Sequence, residues 1–176
     1  YYGDEIGMQD VHIPPGRLQD PWAFIEGGNA RDPERTPMQW DTTPNAGFSP
    51  PGIETWLPVG ENYPQANAAS QVGDPDSILN LYKNLLKLRR ERPCLHKGIF
   101  QFVENVPDDV LVYIREFAGE RTLVLVNFTN QIYELDFSHL SRDANLLLST
   151  HTYTSEAFNL SSLQLLPHQS LLIDLQ

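Results

Sequence analysis

The chain has 176 residues, 40% hydrophobic and 10% aromatic, which suits one core-forming domain with an appended piece and speaks against wholesale disorder or a large multidomain assembly. Twelve Lys and Arg against 23 Asp and Glu give a formal charge of -11, a field that repels phosphate backbones and anionic lipid and so argues against nucleic acid and membrane partners. No run of 18 apolar residues offers a membrane span, and the single cysteine, Cys94, provides neither an intrachain disulfide nor a Cys-based zinc site, which points to a reducing, cytoplasmic setting.

The opening Tyr1-Tyr2-Gly3-Asp4-Glu5-Ile6-Gly7-Met8 carries no signal-peptide pattern and reads as a piece cut from a longer protein. Residues 1–75 hold 11 of the 14 prolines and 9 of the 11 glycines, with 11 acids against three bases. Proline fixes φ and removes an amide donor, and the pairs Pro14-Pro15, Gly27-Gly28 and Pro50-Pro51 interrupt the segment too often for a long helix or strand. Yet Trp22, Phe24, Trp40, Phe48, Trp56 and Tyr63 lie within it. Linkers are poor in large aromatics, so the segment is expected to be an ordered, loop-rich covering that packs on another body.

Regular signals begin at Asp74, an N-cap candidate followed by Pro75 at a first helical position. Ile78, Leu79, Leu81, Tyr82, Leu85, Leu86 and Leu88 recur at helical spacing, and Pro93 ends the pattern, predicting one amphipathic helix over 75–92. Its basic last turn, Lys87, Arg89, Arg90 and Arg92, reads as a solvated end matched to the helix dipole. After Gly98 the period falls to two. The runs 99–104, 110–117, 122–128, 132–137, 146–149, 163–166 and 171–175 predict short strands of an antiparallel sandwich. Ala118-Gly119-Glu120-Arg121 reads as a hairpin loop and Asp108-Asp109 as a turn. Thr122–Phe128 is almost continuously apolar, as a central strand covered on both faces requires. Tyr113, Phe117, Phe128, Tyr133 and Phe137 are assigned to the sandwich core rather than to a sugar-binding face.

Motifs for general chemistry are few. The sequence has no Gly-rich phosphate loop, no Gly-x-Ser-x-Gly elbow and no His-Glu-x-x-His. His12, His96, His139, His151 and His168 lack ligand spacing, so no metal and no cofactor are assigned, and Cys94 is read as an inert thiol. What remains is the group Asp4, Glu5, Arg31, Asp32, Arg35, Trp40 and Asp41. Aromatic faces among carboxylates and guanidinium forks suit a sugar, whose C–H faces stack on rings while its hydroxyls need charged partners. The same residues also describe a salt-bridged, rigid loop.

Three stretches carry a resemblance: Tyr1–Met8, then Arg31-Asp32-Pro33-Glu34-Arg35-Thr36-Pro37-Met38-Gln39-Trp40-Asp41, then Ala46-Gly47-Phe48-Ser49 with Trp56-Leu57-Pro58-Val59. They resemble the region after the last barrel strand of the α-amylase superfamily, and within it the α-glucosidase and oligo-1,6-glucosidase branch. Gln71 and Asp74–Leu79, with Tyr82, Leu85, Leu88-Arg89 and Pro93, are similar to the last barrel-associated helix of that family. The resemblance implies a mainly β chain: a C-terminal antiparallel β-sandwich over 99–176, preceded over 1–98 by one amphipathic helix and a loop-rich remnant of a (β/α)8 barrel, whose active site is built from strand-end loops. It implies further that the chain is the C-terminal part of a retaining α-glucosidase-type hydrolase acting on short α-glucosides.

Retaining hydrolysis uses two carboxylates. The family's nucleophile, acid/base and third Asp belong to upstream motifs, and no Asn-His-Asp occurs here. No catalytic residue is therefore assigned, and the piece alone is expected to be inactive. By matching position, Arg31 and Arg35 are the candidates for substrate contact at the pocket mouth. Asp4 and Glu5 are expected to orient those arginines or to close the barrel, Asp32 to support the loop, and Trp40 to pack beneath it. Two other readings stand beside this one: a stand-alone carbohydrate-binding or structural sandwich, and part of a maltose-converting transglycosylase such as trehalose synthase.

Overall fold

Prolines dictate the local structure of the first half. Four of its five 3-10 turns, Pro15–Arg17, Pro21–Phe24, Pro33–Arg35 and Pro44–Gly47, open on a proline whose φ is preset for the turn, and the fifth is Asp4–Ile6. The computed structural model describes residues 1–26, 28–151 and 159–176, so Gly27 of the expected Gly27-Gly28 breaker lies outside the described residues. Two units are distinguished, Tyr1–Asn84 and Leu85–Gln176.

In the first unit no strand forms among the described residues. Its interior mixes Ile6, Ile13, Met38, Ala46 and Leu57 with buried Asp20, Asp32, Thr36, Gln39, Asn67 and Ser77. Such polar groups tolerate burial only when hydrogen-bonded, so this loop-rich body is held by specific bonds as much as by apolar contact. Helix α1 (Ala68–Val72) was not expected from the sequence. Asn67 caps it, its side chain accepting from the Ser70 amide at 2.8 Å. Of the aromatics of this covering, expected to pack on another body, Trp22, Phe24, Trp40, Phe48 and Trp56 stand 50–74% exposed within this chain.

Helix α2 (Ile78–Glu91) starts three residues later than expected. Asp74 caps a preceding turn instead, accepting from the Asp76 amide at 3.0 Å, and the hydroxyl of Ser77 caps the helix by accepting from the Asn80 amide at 3.3 Å. Arg92 is extended (φ -109°, ψ 103°), as a residue before proline must be. Pro93 then does more than stop α2: it opens a second short helix, α3 (Pro93–Lys97).

The second unit is mainly β and antiparallel. Strands β1 (Ile99–Phe102), β2 (Val110–Phe117), β3 (Glu120–Asn127), β7 (Ser170–Leu175) and β5 (Ala144–Ser149) form a five-stranded sheet in that order, and β4 (Tyr133–Leu135) pairs with β6 (Leu163–Leu165). Register places Leu123 between Ile114 and Ile173, and Leu125 between Val112 and Leu171. All six side chains point to one face, where they meet Phe137, Leu160, Leu163 and Leu165 in a single core. The alternate residues Val124 and Leu172 meet Cys94 and Leu95 of α3, with Leu85 and Leu88 of α2, on the other face. That explains four consecutive buried residues, Thr122–Leu125, in β3. Burying each such aliphatic side chain contributes about 1.5–3 kcal/mol.

The β2–β3 loop is only two residues long, Ala118 and Gly119, both at positive φ (51° and 85°), with Phe117 paired to Glu120. Primed two-residue turns match the strand twist, so Glu120 and Arg121 belong to β3 and not to the loop. Phe137 is buried as expected, while Tyr133 and Tyr113 pack against the two cores. Phe117 and Phe128 are not core: they stand 40% and 66% exposed, because one ends β2 and the other follows the last residue of β3, beyond the covered part of the sheet. The basic end of α2 is likewise only partly solvated. Arg89 donates to the Leu95 carbonyl at 2.6 Å, and Arg92, with 15% of its side chain exposed, lies 3.1 Å from Glu120 and pairs with Asp174.

Candidate functional site

All the sequence-selected site residues lie in the first unit. Arg31 precedes and Arg35 closes the Pro33–Arg35 turn, in which the Arg35 amide bonds the Asp32 carbonyl at 3.0 Å. The hydroxyl of Tyr2 donates to the Thr36 carbonyl and lies 3.1 Å from that of Arg35. Partial burial pushes the Tyr2 phenol up, so it keeps the proton it donates. Thr36–Gln39 are buried, and the next residue, Trp40, is 52% exposed, its indole not beneath the loop. Its backbone is nonetheless fixed, with Trp40 donating to Ala46 at 2.8 Å and accepting from Ala69 at 2.9 Å. The turn it bonds to runs through left-handed Asn45, Ala46 and Gly47. A Cβ on Gly47 would lie 2.6 Å from the Asp41 carboxylate, so a side chain does not fit there.

The two arginines differ. Arg31 is committed: its Nε and Nη2 donate to Asp20 at 2.7 and 2.8 Å. Arg35 is exposed, and its guanidinium has one partner among the described residues, the Tyr1 hydroxyl at 3.5 Å. Asp4 and Glu5 do not orient either arginine. Glu5 accepts from the Gly3 amide at 2.8 Å. Glu5 is used locally because the Asp4–Ile6 turn folds back on Gly3. Asp32, 3% exposed, supports the loop through the Gln19 and Asp20 amides at 2.6 and 2.9 Å.

The acid that serves Arg31 is Asp20, which sequence reasoning missed. The signal was there: Asp before Pro21-Trp22 is an N-cap pattern, and its carboxylate does accept from the Trp22 amide at 3.2 Å. The Arg31 guanidinium hydrogen-bonded to Asp20 holds that carboxyl far below the usual carboxylate range, and Asp20 in turn raises Arg31. A group whose folded value is depressed stabilises the fold above its unfolded value, about 3.9 for Asp, and that contribution disappears as pH falls through the folded value. Acid unfolding followed by tryptophan fluorescence should therefore show a stability gap between the natural chain and Asp20→Asn that is constant above about pH 5 and narrows below about pH 4. A gap independent of pH from 2 to about 6 would contradict the assignment.

Among the described residues no group of three or more His, Cys, Asp or Glu side chains converges on a point where a metal would sit, and no helix is long and apolar enough to cross a membrane. Chemically the arrangement presents the exposed Arg35 guanidinium, with its one long contact to the Tyr1 hydroxyl among the described residues, beside the exposed indole of Trp40.

Compared with known proteins, residues 1–98 match the family described as alpha amylase, catalytic domain, and residues 100–172 the one described as maltogenic amylase, C-terminal domain. Maltase 1 of Drosophila virilis is 35% identical, with 100% of this chain and 29% of that protein covered. Probable oligo-1,6-glucosidase 2 of Bacillus subtilis (strain 168) is 38% identical over 86% of this chain and 30% of its own length. Among solved structures, the trehalulose synthase MutB from Pseudomonas mesoacidophila MX-45 superposes with a TM-score of 0.82 at 30% identity, covering 99% of this chain and 34% of that one. The chain thus spans about a third of the length of these relatives.

Proposed function

The chain belongs to the alpha-amylase family, and from that premise we propose that it forms the C-terminal part of a retaining α-glucosidase-type glycoside hydrolase acting on short α-glucosides. In this reading residues 1–98 complete the barrel and the rim of its active site, and 99–176 form the covering β domain, a division supported by family matches to 1–98 and 100–172. Bond cleavage falls to carboxylates outside these residues, and the first unit contributes substrate binding. The observation that carries this is the Arg35 turn: an exposed guanidinium on a backbone pinned at both ends, its fork making a single long contact, to the Tyr1 hydroxyl at 3.5 Å, among the described residues. Fixing such a donor before substrate arrives reduces the entropy lost on binding. A reducing compartment such as the cytoplasm fits the single, buried thiol of Cys94.

Arg35→Lys in the enzyme that carries this chain tests the reading. Lys keeps the charge and loses the planar two-pronged geometry. Losing one charge-assisted hydrogen bond costs about 1.5–3 kcal/mol, so kcat/KM on maltose or isomaltose should fall roughly 10- to 150-fold with an unchanged melting temperature. A lowered melting temperature at full specific activity would instead make Arg35 a purely structural residue. The likeness to a trehalulose synthase favours a second reading, in which the glucosyl group passes to a sugar rather than to water. Product analysis separates the two: free glucose supports hydrolysis, and an isomeric disaccharide supports transfer.

A further inference from the structure

Ile99, Phe100 and Phe102 make β1 a largely apolar strand, yet all of its residues are exposed. β1 is also an edge of the five-stranded sheet, and an uncovered apolar edge invites association unless something lies over it. Directly opposed residues of an antiparallel pair share a face, so Phe100, opposite Arg115, and Phe102, opposite Tyr113, lie on the face that carries Tyr113. There α3 and the second half of α2 cover Leu148 of β5, Leu172 of β7, Val124 of β3 and Tyr113 of β2, and stop short of β1. The apolar layer itself continues. Phe100 stacks on Tyr113 with ring centres 4.6 Å apart, and Phe102 meets Phe100 edge-on at 4.8 Å. Next to these rings, Phe102, Leu111 and Phe128 line an open cleft of about 390 Å³ with Val106 and Pro107, and Asp108 is its one charged residue.

We infer that this bare end of the sheet, Phe100, Phe102, Leu111 and Phe128 with Arg115 among them, is where the part of the enzyme outside these residues docks, bringing an apolar surface and a carboxylate. The inference rests on the reading of the chain as one part of a longer glucosidase. The chain spans about a third of the length of its relatives, so the larger part is available to cover this face, and its contact extends the layer that α3 begins. Arg115 sets the chemistry of the counter-surface. Its one hydrogen bond among the described residues runs from Nη2 to the Gly98 carbonyl at 2.8 Å, and its Nε is buried without an acceptor. Covering a guanidinium among rings is unfavourable while it lacks a charged partner, and a carboxylate brought to its remaining donors makes a strong, oriented pair.

Hydroxyl-radical footprinting, read ring by ring by mass spectrometry, tests this without any substitution. Phe100, Phe102 and Phe128 should be oxidised at least about tenfold more slowly in the enzyme that carries this chain than in the 176-residue chain, while the buried Phe137 stays protected in both. Equal rates overturn the inference. So does protection already present in the 176-residue chain that grows with its concentration, which makes the face a contact between copies. Protection that appears only with added maltose overturns it too, by making the face a sugar surface. Phe102→Asp supplies a second readout. It should leave the melting temperature of the 176-residue chain unchanged, the ring being 69% exposed there, and lower that of the enzyme by several degrees, because the new carboxylate is buried in an apolar contact. Equal shifts in the two proteins overturn the inference, and an enzyme that fails to fold beside a chain that folds is the expected loss in its extreme form. Maltose hydrolysis by the natural enzyme is measured alongside: its absence overturns the glucosidase reading, and footprinting then decides the docking surface by itself.

Discussion

Leu123→Ala should lower the stability of the second unit by about 3–4 kcal/mol, the usual cost of truncating a leucine that cannot be replaced by neighbouring atoms. Leu123 is fully buried on β3, flanked in register by Ile114 on β2 and Ile173 on β7. Strands on both sides prevent the backbone from closing the gap, so the cavity term adds to the lost transfer energy. Against a total of about 5–15 kcal/mol for a domain, that loss is large enough to shift the urea midpoint strongly. Leu86→Ala is the control: this residue is 64% exposed on α2, and its truncation should change stability by no more than about 0.5 kcal/mol. Urea titrations followed by circular dichroism decide it, and equal midpoint shifts for the two variants would refute the placement of the core.

Arg92→Met should cost about 2–3 kcal/mol in the same unit, toward the upper end of single-residue effects. The methionine keeps the stem packing but leaves Glu120 and Asp174, at 27% and 23% side-chain exposure, without their shared cation. Removing one partner of a partly buried pair strands the other charge, which costs more than the pair itself contributes. Burial by itself would ease the proton off Arg92, but the hydrogen bond to Asp174 and the nearby Glu120 outweigh it and raise its value. Glu120→Gln in the Arg92→Met background should recover part of the loss, since there is then less uncompensated negative charge. Strict additivity of the two substitutions in a double-mutant cycle would show that they do not interact.

The strands were legible because their determinants are local. Alternation and β-branched content marked all seven, and the near-continuous apolar run from Thr122 correctly pointed to a central strand with both faces covered. The start of α2 was misplaced by three residues because Asp74, Pro75 and Ser77 each satisfy part of the capping pattern, and only the hydrogen bonds show that Ser77 closes the helix while Asp74 closes the turn before it. The exposure of Phe117 and Phe128 was not legible, since residue type says that a ring prefers burial but not where the sheet above it ends.

For the candidate site, the sequence by itself determined the family, the loop that carries Arg31 and Arg35, and the proline-led turns, because motif and backbone restriction are written in consecutive residues. Only the tertiary structure decided which acid meets which base. Glu5, one of the acids chosen from the sequence, turns back on the Gly3 amide, while Asp20, eleven residues before Arg31, makes the pair. Arg92, expected to be a solvated helix end, finds Asp174 82 residues away. A carboxylate is a suitable partner for any guanidinium, so local chemistry cannot choose among 23 acids. The path of the chain makes that choice, by carrying one of them within hydrogen-bonding distance and burying it there.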